Sequence, residues 1–131
     1  MRAPLDAAQG LLVKASNDLF AADTVIATGE ALDTVCFHAQ QAVEKSLKAL
    51  LAMHDVDYPL THNVQWLLRL VGEFHPHLNE FTEPLEAFEL YAVPVRYDEM
   101  LTPGLAEARE LLAIAHEVYS AAKREIDIAG G

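Results

Sequence analysis

Four polar residues, His38, Gln41, Lys45 and Lys48, follow one another at steps of three and four. That interval places side chains on one face of a helix. An imidazole, an amide and two ammonium groups aligned in this way can converge on a phosphate or a nucleobase, offering charge-assisted donors to the first and hydrogen bonds to either. The same spacing also suits a solvated face, with Glu44 pairing to Lys48 one turn on. Spacing alone favours the solvated reading, because nearly every surface helix has such a face. Exposed lysines contribute little to stability. If the stripe does hold an anion, replacing both Lys45 and Lys48 with Ala is expected to weaken nucleotide binding while leaving the melting temperature nearly unchanged; binding left intact would return the stripe to a solvated face.

The remaining chemistry-bearing residues are scattered. His75-Pro76-His77 is a loop pair, while His38, His54, His62 and His116 stand singly. No histidine has a second His or Cys one helical turn away, so a metal centre is not expected. His62 directly follows Thr61, a good helix N-cap, and is expected to order that helix start or to hydrogen-bond across to the preceding helix. Cys36 follows Val35 with no basic neighbour in sequence, which describes an inert, buried thiol. No serine sits in a nucleophile elbow, and there is no glycine-rich phosphate loop. Trp66 and the Phe and Tyr residues fall at helical spacing, which points to core or dimer contacts.

Proline, glycine and capping signals divide the chain into helices. The first is expected from about Leu5 to Thr28, with Pro4 in its opening turn, Gly29 as its stop, and a seam of Leu5, Ala8, Leu12, Ala15, Leu19, Ala22 and Ile26. The second spans about Glu30 to His54 and buries Val35, Cys36, Ala39, Val43, Leu47, Leu50 and Met53 opposite the polar stripe. Asp55 to Pro59 interrupts it. A third helix is expected from the Thr61 cap through Trp66, Leu67, Leu70 and Val71. Gly72 to Thr82 reads as a loop, and Pro84 opens a short helix through Leu85, Phe88 and Tyr91. Val93 to Leu101 has no clear period. Thr102-Pro103 starts a last helix with the seam Leu105, Ala108, Leu112, Ala115, Tyr119, Ala122 and Ile126. Long helices with short links predict an all-α, up-and-down bundle of four to five helices.

At 131 residues the chain has room for one domain, with its core from about residue 5 to 127. A 52% hydrophobic content with 6 Gly and 6 Pro describes a compact fold. One cysteine excludes an intramolecular disulfide. With no signal peptide and no apolar run of membrane-spanning length, a cytoplasmic protein is expected. Twenty acidic against nine basic residues give a net charge of −11. Affinity for a phosphate backbone comes mainly from clustered Lys and Arg. General nucleic-acid binding is therefore disfavoured, and any nucleotide or RNA contact must come from a local basic site or a groove between two subunits.

The string Phe37-His38-Ala39-Gln40-Gln41-Ala42-Val43-Glu44-Lys45-Ser46-Leu47-Lys48-Ala49-Leu50-Leu51, followed by Pro59-Leu60-Thr61-His62, closely resembles the signature of the HEPN domain family. That family comprises small helical bundles linked to nucleotides and nucleic acids. Val95-Arg96-Tyr97-Asp98 is similar to the Arg-Tyr-Pro-Asp segment before the last helix in one branch, without its proline. The resemblance implies a ligand-binding set of His38, Gln41, Lys45, Lys48, His62, Arg96 and Tyr97, a homodimer, and no cofactor.

Many HEPN proteins are metal-independent endoribonucleases, with an Arg followed after roughly four to six residues by a His that can move a proton while the guanidinium stabilises phosphate charge. Arg96, the candidate by position, has no histidine in that window. Arg69 and His75 satisfy the gap in the wrong part of the fold. Arg109 and His116 satisfy it two turns apart on the polar side of the last helix, with Ser120 and Lys123. Three readings follow. The first is a non-catalytic HEPN protein that binds a nucleotide or a minimal nucleotidyltransferase partner in a toxin–antitoxin-like module. The second is an endoribonuclease toxin using Arg109 and His116, or Arg96 with a histidine from elsewhere, and the third is a dimeric scaffold. An anion against Lys45, Lys48 and Arg96 is the ligand expected on the first.

Overall fold

The computed structural model describes residues 3–91 and 103–131. Three long helices form the body: α1 (Pro4–Ile26), α2 (Leu32–Met53) and, at the carboxyl end, α4 (Leu105–Gly130). Between α2 and α4 come a short α3 (Val64–Val71) and two 3-10 helices, Pro76–Phe81 and Pro84–Tyr91. The described residues contain no strand, so the fold is the expected all-α bundle. The segment 93–101, with Arg96 and Tyr97, and the Thr102 cap lie outside the described residues.

The long helices approach one another through small residues. Ala8, Ala15 and Ala22 of α1 and Ala108, Ala115 and Ala122 of α4 recur at sevens and are fully buried. This repeat keeps a narrow seam facing the partner helices. Leu12 and Leu19 of α1 and Leu111, Leu112, Val118 and Ile126 of α4 fill the space between those close approaches. The expected α4 seam is corrected in part: Leu105 is exposed and Tyr119 only half-buried, while Leu111 and Val118 are buried. Helix α4 packs against both α1 and α2, so its buried face is wider than a single three/four seam.

Helix α2 is central, touching α1, α3, α4 and the second 3-10 helix. Between Val35 and Met53 Phe37 alone is exposed. The reading of His38, Gln41, Lys45 and Lys48 as a solvated face is therefore corrected; all four are half-buried. A one-chain period cannot reveal that neighbours close over both sides of a helix.

The connections are built by local backbone chemistry. Gly29 (φ 73°) and Ala31 (φ 51°) are both left-handed and reverse the chain between α1 and α2. Glycine adopts that conformation freely and alanine does not. The α3 cap is Asn63, not Thr61: the Asn63 carboxamide oxygen accepts from the Trp66 amide at 3.1 Å. Thr61 Oγ1 accepts from the Asn63 amide at 3.0 Å and shapes the preceding turn. Within 72–82, expected as a loop, Pro76 starts a 3-10 helix that buries Leu78 and Phe81.

Candidate functional site

Two buried carboxylates organise the polar side of α2. Asp18 stands on the inner face of α1, between Ala15 and Ala22, and Glu44 lies in the middle of α2. An uncompensated charge at either place would be costly, so each must be fully partnered. Asp18 accepts from His38 Nδ1 at 2.8 Å on one oxygen and from Lys45 Nζ on the other. Glu44 accepts from Lys48 Nζ and from His62 Nδ1, both at 2.8 Å. Gln40 Nε2 lies 3.4 Å from the same carboxylate and donates to the His62 carbonyl at 2.9 Å. Gln41 Nε2 donates to Gln40 Oε1 at 2.9 Å. Among the described residues no buried side-chain nitrogen or oxygen lacks a partner.

These bonds place the five residues in two networks side by side on α2: Asp18 holds His38 and Lys45, while Glu44 holds Lys48 and His62, with Gln41 attached through Gln40. The expectation that His62 bonds across to the second helix holds. Lys48 Nζ also lies 5.5 Å from the Tyr58 ring centroid, so the α2–α3 loop is tied down by the ammonium as well as by His62. Burial pushes the Glu44 carboxyl up, but the hydrogen bonds and charges of Lys48 and His62 outweigh it and hold Glu44 below the usual glutamate range.

The cluster has an inward and an outward part. Lys48 is 13% exposed and committed to Glu44. His38 and Lys45 retain 28% and 26% exposure. Because a carboxylate only accepts, His38 carries its proton on Nδ1, which frees Nε2; Lys45 keeps two N–H groups and Gln41 keeps its carbonyl oxygen. The Phe37 ring stands beside them, edge-on to His38 with centroids 5.3 Å apart and 56% exposed.

The second candidate pair lies on α4. Arg109 is exposed, and His116 Nε2 donates to both oxygens of Asp23 on α1, at 2.9 and 3.1 Å. The two partners are 46% and 50% exposed. An open cleft of about 370 Å³ is lined by Glu80, Phe81, His116, Glu117, Ser120 and Arg124, without Arg109. Arg69 is exposed and His75 buried at the far end of α3. Cys36 is buried, and burial pushes its thiol up; the Tyr91 hydroxyl donates to Glu107 at 3.2 Å. No group of three or more His, Cys, Asp or Glu among the described residues could hold a metal ion. No described helix is long and apolar enough to cross a membrane.

The residues that sequence reasoning passed over are the acceptors: Asp18, Asp23 and Glu125. Asp18 carried a signal, a charged residue at the interval of a buried seam, three after Ala15 and four before Ala22.

The HEPN domain model matches residues 8–126. The structure is similar to that of TT1696 from Thermus thermophilus, with 27% identity, a TM-score of 0.72, and coverage of 89% of this chain and 96% of that one. It also shares its fold with ST0689, an archaeal HEPN homologue, at 20% identity and a TM-score of 0.68, covering 91% and 97% of the two chains. No curated protein matches the chain.

Proposed function

Because the chain belongs to the HEPN domain family, we propose that it is a non-catalytic binding protein whose α2 face takes a nucleotide. In this reading it acts as a homodimer within a two-component module with a minimal nucleotidyltransferase. The observation that carries the reading is the division of labour around Asp18 and Glu44. Buried carboxylates hold the cluster rigid, while His38, Gln41 and Lys45 keep free hydrogen-bonding atoms at the surface beside the exposed Phe37 ring. Preorganised donors lose little entropy on binding. An aromatic face can stack on a base. Lys45 is already balanced by Asp18, so the cluster suits a base edge and one phosphate better than a polyanion. Arg96 and Tyr97 complete the proposed ligand set, and Lys48 and His62 act through Glu44. Exposed Phe20 (73%) and Val13 (61%) of α1 offer apolar contact for a second copy.

The test is thermal shift with ATP, GTP and their monophosphates. A ligand at a hundred times its Kd stabilises by about 2.7 kcal/mol. A nucleotide should raise the melting temperature of the wild type and raise that of Phe37→Ala and Gln41→Ala less. Four flat curves would overturn the proposal.

A second reading, an endoribonuclease, is favoured by one observation. Asp23 orients His116 and leaves its Nδ1 without a partner among the described residues, the arrangement a general base requires. RNA cleavage by the wild type that is lost in His116→Ala would support it.

A further inference from the structure

We propose that the end of the bundle where α2, the α3 exit loop and α4 meet is closed by a histidine latch that opens in mild acid. His54, at the carboxyl end of α2, points its Nε2 at Nε2 of His75, 2.9 Å away. His75 Nδ1 faces Glu125 Oε2 of α4 at 3.6 Å, and His77 Nε2 bonds Glu125 Oε1 at 2.8 Å. Phe74 stacks on the His54 ring with centroids 4.2 Å apart and planes 11° from parallel.

The chemistry of the central contact limits its protonation. Two imidazole nitrogens at hydrogen-bond distance hold one proton between them. With His75 Nδ1–H facing Glu125 at ion-pair distance, its Nε2 accepts and His54 Nε2–H donates, while the hydrogen bond to Glu125 comes from His77. This chain runs in one direction across three elements. A proton added at His54 Nδ1, on the exposed ring, leaves it intact. A further proton at His75 Nε2, with His54 already charged, sets two N–H groups against each other and requires the rings to part. The groups acting on His75 are Glu125 from α4, His54 from α2 and His77 from the 3-10 helix.

The sign follows from burial. His75 is 8% exposed, and burial first, then the charges of His54 and His77, push it below its ordinary value of 6.5 against the opposing pull of Glu125. A histidine lowered by folding contributes stability that is present above the unfolded value and lost as pH falls toward the folded one. The latch is therefore closed above about pH 6.5 and loosens below it. Its release frees the turn in which the Phe74 and His75 amides bond to the Val71 carbonyl and Leu78 to the His75 carbonyl.

Backbone hydrogen exchange of Phe74, His75 and Leu78, corrected for intrinsic rates, tests this. Between pH 7.5 and 5.5 protection in the wild type should fall about five- to tenfold more than in the α1–α2 core, since uptake of one proton on opening can give no more than about tenfold over that range. In His54→Gln, at an exposed position, the amide still donates but carries no proton to repel, so the fall should be under threefold. Imidazole NMR of the same two proteins should show His75 titrating below 6.5 in the wild type and moving up in His54→Gln. An equal loss of protection in both proteins, or a His75 titration unmoved by His54→Gln, would overturn the proposal.

Discussion

Glu44 and Asp23 do the same thing in unlike surroundings. Each carboxylate holds a histidine nitrogen, Glu44 at 2.8 Å and Asp23 at 2.9 Å. Glu44 is 7% exposed and has Lys48 and Gln40 as further partners, whereas Asp23 is 50% exposed and is held by His116. Geometry alone ranks them as equals. Burial separates them, because a buried charge stripped of its partner has no water to replace it, whereas an exposed one does. The Glu44 network is thus part of the architecture that holds the α2 face, and the Asp23 pair is a surface feature open to solvent.

The largest effect expected is at Glu44. Glu44→Ala strands the Lys48 ammonium and unpins His62, which for a broken buried pair costs about 3–5 kcal/mol. Melting temperature should fall by roughly 10–20 °C in a domain of this size. A fall of a few degrees would place Glu44 with Asp23.

Next comes the double replacement of Lys45 and Lys48 with Ala. The expectation of a nearly unchanged melting temperature assumed exposed lysines. Lys48 is 13% exposed and Lys45 26%, each on a buried carboxylate, so the loss should instead be at least about 1–3 kcal/mol. Chemical denaturation reads it directly. A loss of nucleotide binding in this variant therefore needs a correction for folding before it is assigned to contact.

A smaller effect lies in acid. Glu44 is held below its ordinary value of 4.5, so its contribution is present above that pH and is lost as pH falls through the lower folded value. Melting curves of wild type and Glu44→Gln should converge below pH 4.5 and separate above it, with the wild type higher. Smallest is His116→Ala, an exposed pair worth about 0–1 kcal/mol. Its melting temperature should match the wild type within a few degrees, which makes it a clean probe for RNA cleavage.

How far these regions were legible follows from the same contrast. Periodicity places α1, α2 and α4 within a few residues of their ends, because Pro4, Gly29 and the alanine seams are local signals. The cluster's members on α2 were legible as one face, and His62 as its partner across the turn. Their burial was not, since it depends on α1 and the 58–62 loop closing over α2, contacts remote in sequence. Asp18, 20 residues from His38 and 27 from Lys45, is the clearest instance. Likewise Asp23 reaches His116 across 93 residues, and no spacing rule joins them.

One titration reads both regions at once: two-dimensional NMR of the isotopically labelled protein with ATP as the probe nucleotide. The account predicts saturable shifts at the side chains of His38 and Gln41 and at the amides of Phe37 to Lys45, with Arg109 and His116 unmoved. Shifts centred on Arg109 and His116, or none at millimolar ATP, would contradict it.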